Sequence, residues 1–210
     1  MFTTAFRDTT LTQLVTLGTH IGLLTAITTF RTGSVTEASY TGYARVAITW
    51  GAAADTTPAG GRQRSNSALV TFPQNTGANQ DVLGWGVYSA VTAGTLQAIG
   101  FLDSDPPIMG TVSAATDLIT AYVHGLQTDQ RVFMLAVPAG IPPDVFAENT
   151  AYFVLAAGLT ADVFALSATS GGAAINATVS GVAWFMPYKA QTVATNSTPD
   201  FAIGALAVQL

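Results

Sequence analysis

Two histidines, twelve carboxylates, three tryptophans and six tyrosines are the side chains of this chain that could carry chemistry. Neither His20 nor His124 has a second histidine or a carboxylate at metal-ligand spacing, so neither starts a tetrahedral site. A hydrolytic relay needs an imidazole beside an activated nucleophile. The G-x-S-x-G elbow is absent and the serines fall in loops or at strand edges. Asp103-Ser104-Asp105 alternates carboxylates as a calcium loop does. Pro106-Pro107 then stand where such a loop would supply further oxygens and a spacing glycine, so the segment reads as a turn. No two of the remaining carboxylates, Asp144 among them, are marked as a facing glycosidase pair. Gly60-Gly61 and Gly171-Gly172 lack the lysine and helix start of a phosphate loop. The expectation is a chain that is not an enzyme, with no catalytic residue, cofactor or metal.

The aromatic residues are the remaining candidates. Trp50, Trp85 and Trp184, with Tyr40, Tyr43, Tyr88, Tyr122, Tyr152 and Tyr188, could form a sugar-stacking platform, although most lie in predicted strands, where large rings fill a core. Trp184, Tyr188 and the loop aromatics are the ones to test against a surface glycan. Arg45 interrupts an otherwise apolar strand; it is expected to pair with Glu37 or a nearby carbonyl and so fix the preceding loop.

The elements that must position these residues are mostly strands. Asp8 is a predicted N-cap for a short helix over Thr9 to Leu17, with Gly18 as its stop. His20 to Ala26 is apolar on both faces, as a central strand would be. Tyr43 to Trp50 alternates with period two, Gly51 to Ser65 reads as a surface loop, and Ser67 to Phe72 is a strand stopped by Pro73. Val82 to Ala90 and Thr95 to Leu102 form a hairpin about Thr92-Ala93-Gly94. Strands are also expected at Leu118 to Val123, Arg131 to Val137, Ala151 to Ala156, Val163 to Ser167, Val179 to Phe185 and Phe201 to Val208. This spacing predicts a mainly β fold: a Greek-key-like β-sandwich base with one short N-terminal helix and a small inserted β-domain. The base is expected over residues 1–115 and 191–210, the insert over 116–190.

Composition bounds the partners. Apolar residues make up 49% of the chain and charged residues 9%, against roughly 25% charged in ordinary soluble domains. So neutral a surface suits a subunit covered by copies of itself or by neighbours, and the expected assembly is a homotrimer. Seven scattered Lys and Arg and a net charge of -5 exclude nucleic-acid binding, which needs clustered positive charge. No run reaches the roughly 18 apolar residues of a membrane span. Met1 to Asp8 does not read as a signal peptide, so the expectation is synthesis in the cytoplasm and no membrane. The absence of cysteine removes a disulfide frame.

Several runs resemble a family of small bacteriophage virion proteins of the tail-fibre or minor tail type. They are Tyr40 to Ala47 with Gly42-Tyr43-Ala44-Arg45, then Asn66, Val70-Thr71-Phe72-Pro73, Gly84 to Leu96, and Phe201 to Val208. The likeness covers 8–112 and 196–210. Residues between resemble an inserted phage adhesin-like module, through His124-Gly125-Leu126-Gln127-Thr128-Asp129-Gln130-Arg131-Val132, Asn149 to Val154 and Phe164 to Ile175. Gln130 and the apolar run Phe133-Met134-Leu135 depart from that pattern, and the run is expected to mark a contact between subunits. The resemblance implies a non-enzymatic structural protein of the virion exterior. Its first form is a capsid decoration or minor capsid protein bound to the major capsid protein. Its alternative is a minor tail or tail-fibre subunit bound to tail proteins and contributing to attachment on a host-surface glycan.

Overall fold

The computed structural model describes residues 3–29, 33–56, 61–136, 145–148 and 150–210; Gly60, Val137, Asp144 and Asn149, named above, lie outside them. The protein is mainly β, with 40% of residues in strands and 7% helical. It divides into two units, one of Met1–Ile27, Gly33–Gly100 and Gln191–Leu210, the other of Thr28–Thr32 and Phe101–Ala190. The second unit resumes at Phe101. The reason is the strand Ile108–Val112, which pairs along its whole length with Gly181–Tyr188.

The helix runs Thr4–Leu17, and Thr3 caps it by accepting the Phe6 N–H at 3.3 Å. Asp8 is therefore inside the helix and not its cap. Its carboxylate takes the Arg62 guanidinium at 2.7 and 3.1 Å instead, which holds it below the usual carboxylate range. Leu11 is the helix's buried apolar anchor. Thr9, Thr10, Thr12 and Thr16 each donate to the carbonyl four residues earlier, so their outward surface is largely methyl.

In the first unit, His20–Thr29 lies between Ser34–Glu37 and Gly84–Tyr88, and Leu96–Phe101 follows on the far side. The register sets His20 opposite Tyr88 and Leu24 opposite Gly84. Ile21, Leu23, Leu24, Trp85 and Val87 are buried, as expected for strands covered on both faces. Gly51 to Ser65 is not wholly loop. Ala54–Asp55 and Arg62–Ser65 form a small sheet there with the C-terminal Ala207–Gln209.

Two buried asparagines stitch the returning C-terminal segment to the rest of this unit. Asn66, 1% exposed, donates to the carbonyls of Ala68 and Ala202 and accepts the Leu206 N–H. Asn75 donates to the carbonyls of Ala78 and Val193 and accepts the Gly77 N–H. Each side chain thus serves backbone groups that a turn would otherwise leave unpaired. A turn at Ala202–Ala205, held against Asn66, also breaks the expected final strand into Asp200–Phe201 and Ala207–Gln209.

The second unit is a barrel-like sheet. Its hydrogen-bonded order is Val163–Phe164, Ile119–Thr120, Ile108–Val112, Gly181–Tyr188, Arg131–Ala136, Ala151–Val154, Leu166–Ser167. The two ends of that list are one extended segment separated by Ala165, whose carbonyl accepts the Leu155 N–H at 2.9 Å. One kinked strand therefore nearly closes the sheet and removes its free edges. Inside, Phe185 meets Phe164 and Phe146 edge-on at 5.8 and 6.2 Å, among Val132, Met134, Tyr152, Leu166 and Ala183. Outside, Phe101 covers Phe133 at 5.2 Å and stacks on Tyr188 at 4.6 Å. Phe133 and Met134 are thus buried by their own chain, one on each side of the barrel wall, and need no contact between subunits. Where the chain enters and leaves this unit, Ser104 bridges Tyr188, Asp105 N–H donates to the Pro187 carbonyl, and Lys189 N–H donates to that of Asp103.

Candidate functional site

A polar cluster in the first unit centres on Glu37. Its carboxylate accepts three bonds from Arg45, at 2.8, 2.9 and 3.1 Å, and the Tyr43 hydroxyl at 2.5 Å. Arg45 also donates to the Ala90 carbonyl and lies 3.5 Å above the Tyr88 ring. Tyr43 Oη in turn accepts the Leu23 N–H of the central strand. Gly22 makes this possible: a Cβ there would stand 2.7 Å from both Glu37 Oε1 and Tyr43 Oη, so only glycine admits the cluster to the strand. Arg45 thus pairs with Glu37 and a carbonyl together, and the cluster ties 37–45 to the sheet.

Burial, then the Glu37 carboxylate, holds the Tyr43 phenol far above its ordinary value. The same two causes, opposed by Arg45, push Tyr88 up to about 12. Both groups keep their protons in the folded state at pH values where the unfolded chain has lost them. Stability is therefore fully present below pH 10 and falls as pH rises toward 12. For Tyr88 alone, the rise from 10 to about 12 corresponds to about 3 kcal/mol. The thermal midpoint is expected to stay level from pH 7 to 9 and to drop steeply between 10 and 12, with Tyr88→Phe flattening the drop. A level midpoint to pH 12 would contradict this.

The other residues singled out from sequence do not converge. His20 is half-buried, with Nδ1 2.9 Å from the Thr19 hydroxyl. Asp103 adopts φ +45 and faces Lys189 at 3.9 Å, in a turn. Among the described residues no three His, Cys, Asp or Glu are grouped to hold a metal, and no helix is long and apolar enough to cross a membrane.

Of the nine tryptophans and tyrosines, two are exposed, Tyr122 (86%) and Trp184 (38%), and both belong to the barrel unit. Tyr188 is 1% exposed beneath Phe101, so it cannot stack on a ligand. Trp184 projects outward between the inward residues Ala183 and Phe185, directly opposite Met109, itself 55% exposed. Tyr122 and Val123 occupy a turn just past Ile119–Thr120. The predicted strand Leu118 to Val123 stops early because Val123 turns to φ +51.

These features define the class: a mainly β protein built of antiparallel sheets. The model of the family described as podophage GP4 fiber I protein gp80 matches residues 1–114. With more than half its length matched, the chain belongs to this family and is a structural protein of a phage virion. No curated protein and no solved structure matches it.

Proposed function

We propose that the chain is a non-enzymatic tail-fibre subunit that self-associates and uses its barrel unit, an adhesin-like insert, to touch the host surface. The family's description as a fiber protein supports the fibre reading for residues 1–114. The observation that carries the host-contact half is that Tyr122, 86% exposed, lies in the barrel unit. The division of labour follows from composition. The Trp184–Met109 pair has the make-up of a protein–protein contact, where tryptophan and methionine are enriched. A trimer or other closed ring would cover such a wall on every copy. The other part of the chain then binds tail proteins.

Purified protein added in excess is expected to compete with virions for host cells and slow their adsorption. Unchanged adsorption at saturating protein would reject the host-contact role. Capsid decoration remains the rival reading, because a surface with 9% charged residues suits a shell as well as a fibre. Antibody labelling of intact particles separates them: label on the tail supports the fibre subunit, label on the shell supports decoration.

A further inference from the structure

We propose that the Tyr122–Val123 tip binds a neutral saccharide unit of a surface polysaccharide, with the Tyr122 ring as the stacking face. This rests on the host-contact reading above and gives it a site and a ligand class.

Three observations meet at consecutive residues. Tyr122 and Val123 are 86% and 83% exposed, the highest values for large apolar residues among the described residues. Val123 is the β-branched member of the non-glycine residues at positive φ, a conformation that costs on the order of 1–3 kcal/mol and persists only where its surroundings impose it. They do so here: Ala121 N–H and His124 N–H donate to the carbonyls of Asp162 and Ala161, and Val123 N–H donates to Asp162 Oδ1 at 2.8 Å. Next, His124 is buried, with Nδ1 accepting the Leu126 N–H at 3.0 Å. That bond fixes the proton on Nε2, which is buried without a hydrogen-bond partner. A strained backbone that holds an aromatic out in water is a cost that folding alone does not require, and so is the unserved donor two residues on, on an imidazole packed edge-on against Phe164 at 5.0 Å. Local rules of this kind are broken where function demands it.

Size and charge choose the ligand. A protein partner needs roughly 800 Å² of contact per side, far more than a two-residue tip supplies. A single phenol ring matches the apolar face of one sugar ring, and its hydroxyl serves the sugar's polar edge. Residues 118–126 and 159–164 contain no Lys or Arg, so nothing there would hold an anionic polymer. Asp162 at the base of the tip is an acceptor for sugar hydroxyls. One contact of this size is weak, and repeated copies on a particle would raise its avidity.

The test uses the full chain on an array of neutral hexose and N-acetylhexosamine oligomers, read alongside saturation transfer from protein to sugar protons. Binding is expected to fall at least tenfold in Tyr122→Ala, to survive in Tyr122→Trp, and to be unchanged in Trp184→Ala. Both Tyr122 variants should keep the parent thermal midpoint, since the side chain touches water. No neutral sugar bound, equal binding by Tyr122→Ala, or Tyr122-dependent binding to phosphatidylethanolamine–phosphatidylglycerol vesicles instead would each overturn the proposal. If the parent protein competes with virions for cells and Tyr122→Ala competes equally well, this site fails while the host-contact reading stands. If the parent does not compete, that reading fails first.

Discussion

Arg45→Ala is expected to destabilise the first unit by about 1–3 kcal/mol, between the worth of an exposed bridge and the loss at a fully buried pair. Glu37 would lose three of the four bonds its carboxylate accepts, Ala90 its side-chain donor, and Tyr88 the cation over its ring. Both partners have restricted exposure, 13% for Arg45 and 24% for Glu37, which separates the pair from surface bridges worth about 0–1 kcal/mol. Arg45→Lys should recover only part of the loss, because an ammonium cannot reproduce the forked contact. The double variant Glu37→Leu, Arg45→Met should cost less than Arg45→Ala, since no stranded charge remains. Denaturant titration of the four proteins decides the matter. A loss below 1 kcal/mol for Arg45→Ala would mean that the cluster is an ordinary surface contact.

The second large effect is expected at Phe185, which has no exposure and meets two phenylalanine rings inside the barrel. Phe185→Ala should cost about 3–5 kcal/mol, the usual range for emptying a phenylalanine site that cannot fully collapse. Amide protection should drop along Ile108–Val112 and Arg131–Ala136, the strands that pair with its own on either side. Trp184→Ala, one residue earlier and facing outward, should cost no more than about 1 kcal/mol despite removing a larger side chain. Similar losses for the two would mean that the inside and outside of this strand have been exchanged, since a one-residue slip reverses every side chain.

How much of this the sequence carries varies with how local the cause is. The Arg45–Glu37 pairing is readable because a single charge in an apolar strand must find a partner within reach. The part played by Tyr43, Tyr88 and Gly22 is not, because it depends on a strand twenty residues away approaching closely. The hairpin about Ala93-Gly94 is readable from its turn residues, and Ala93 does adopt φ +53. Barrel closure is invisible in the same terms. Short alternating runs look alike in sandwiches and barrels, and closure rests on Ala165 letting one strand serve two neighbours. Ile108–Val112 is missed because Asp103 to Pro107 before it reads as a turn, with no alternating run marked after it. At the candidate surface, Trp184 is readable as a glycan or contact residue, whereas Tyr122 is disguised by a run that continues to look like a strand through Val123. The one signal that could have marked it is Gly125, at φ +67, which announces a left-handed turn close behind.

The meeting of Asp103, Ser104 and Asp105 with Pro187, Tyr188 and Lys189 has an evolutionary consequence. A stretch of chain whose start and finish are already clasped together sets no gap for the recipient to span, and closing it costs little entropy however long it grows. Such a piece behaves as a cassette. A phage lineage could trade one version for another in a single recombination between positions 102 and 190 while the remainder of the subunit keeps its fold.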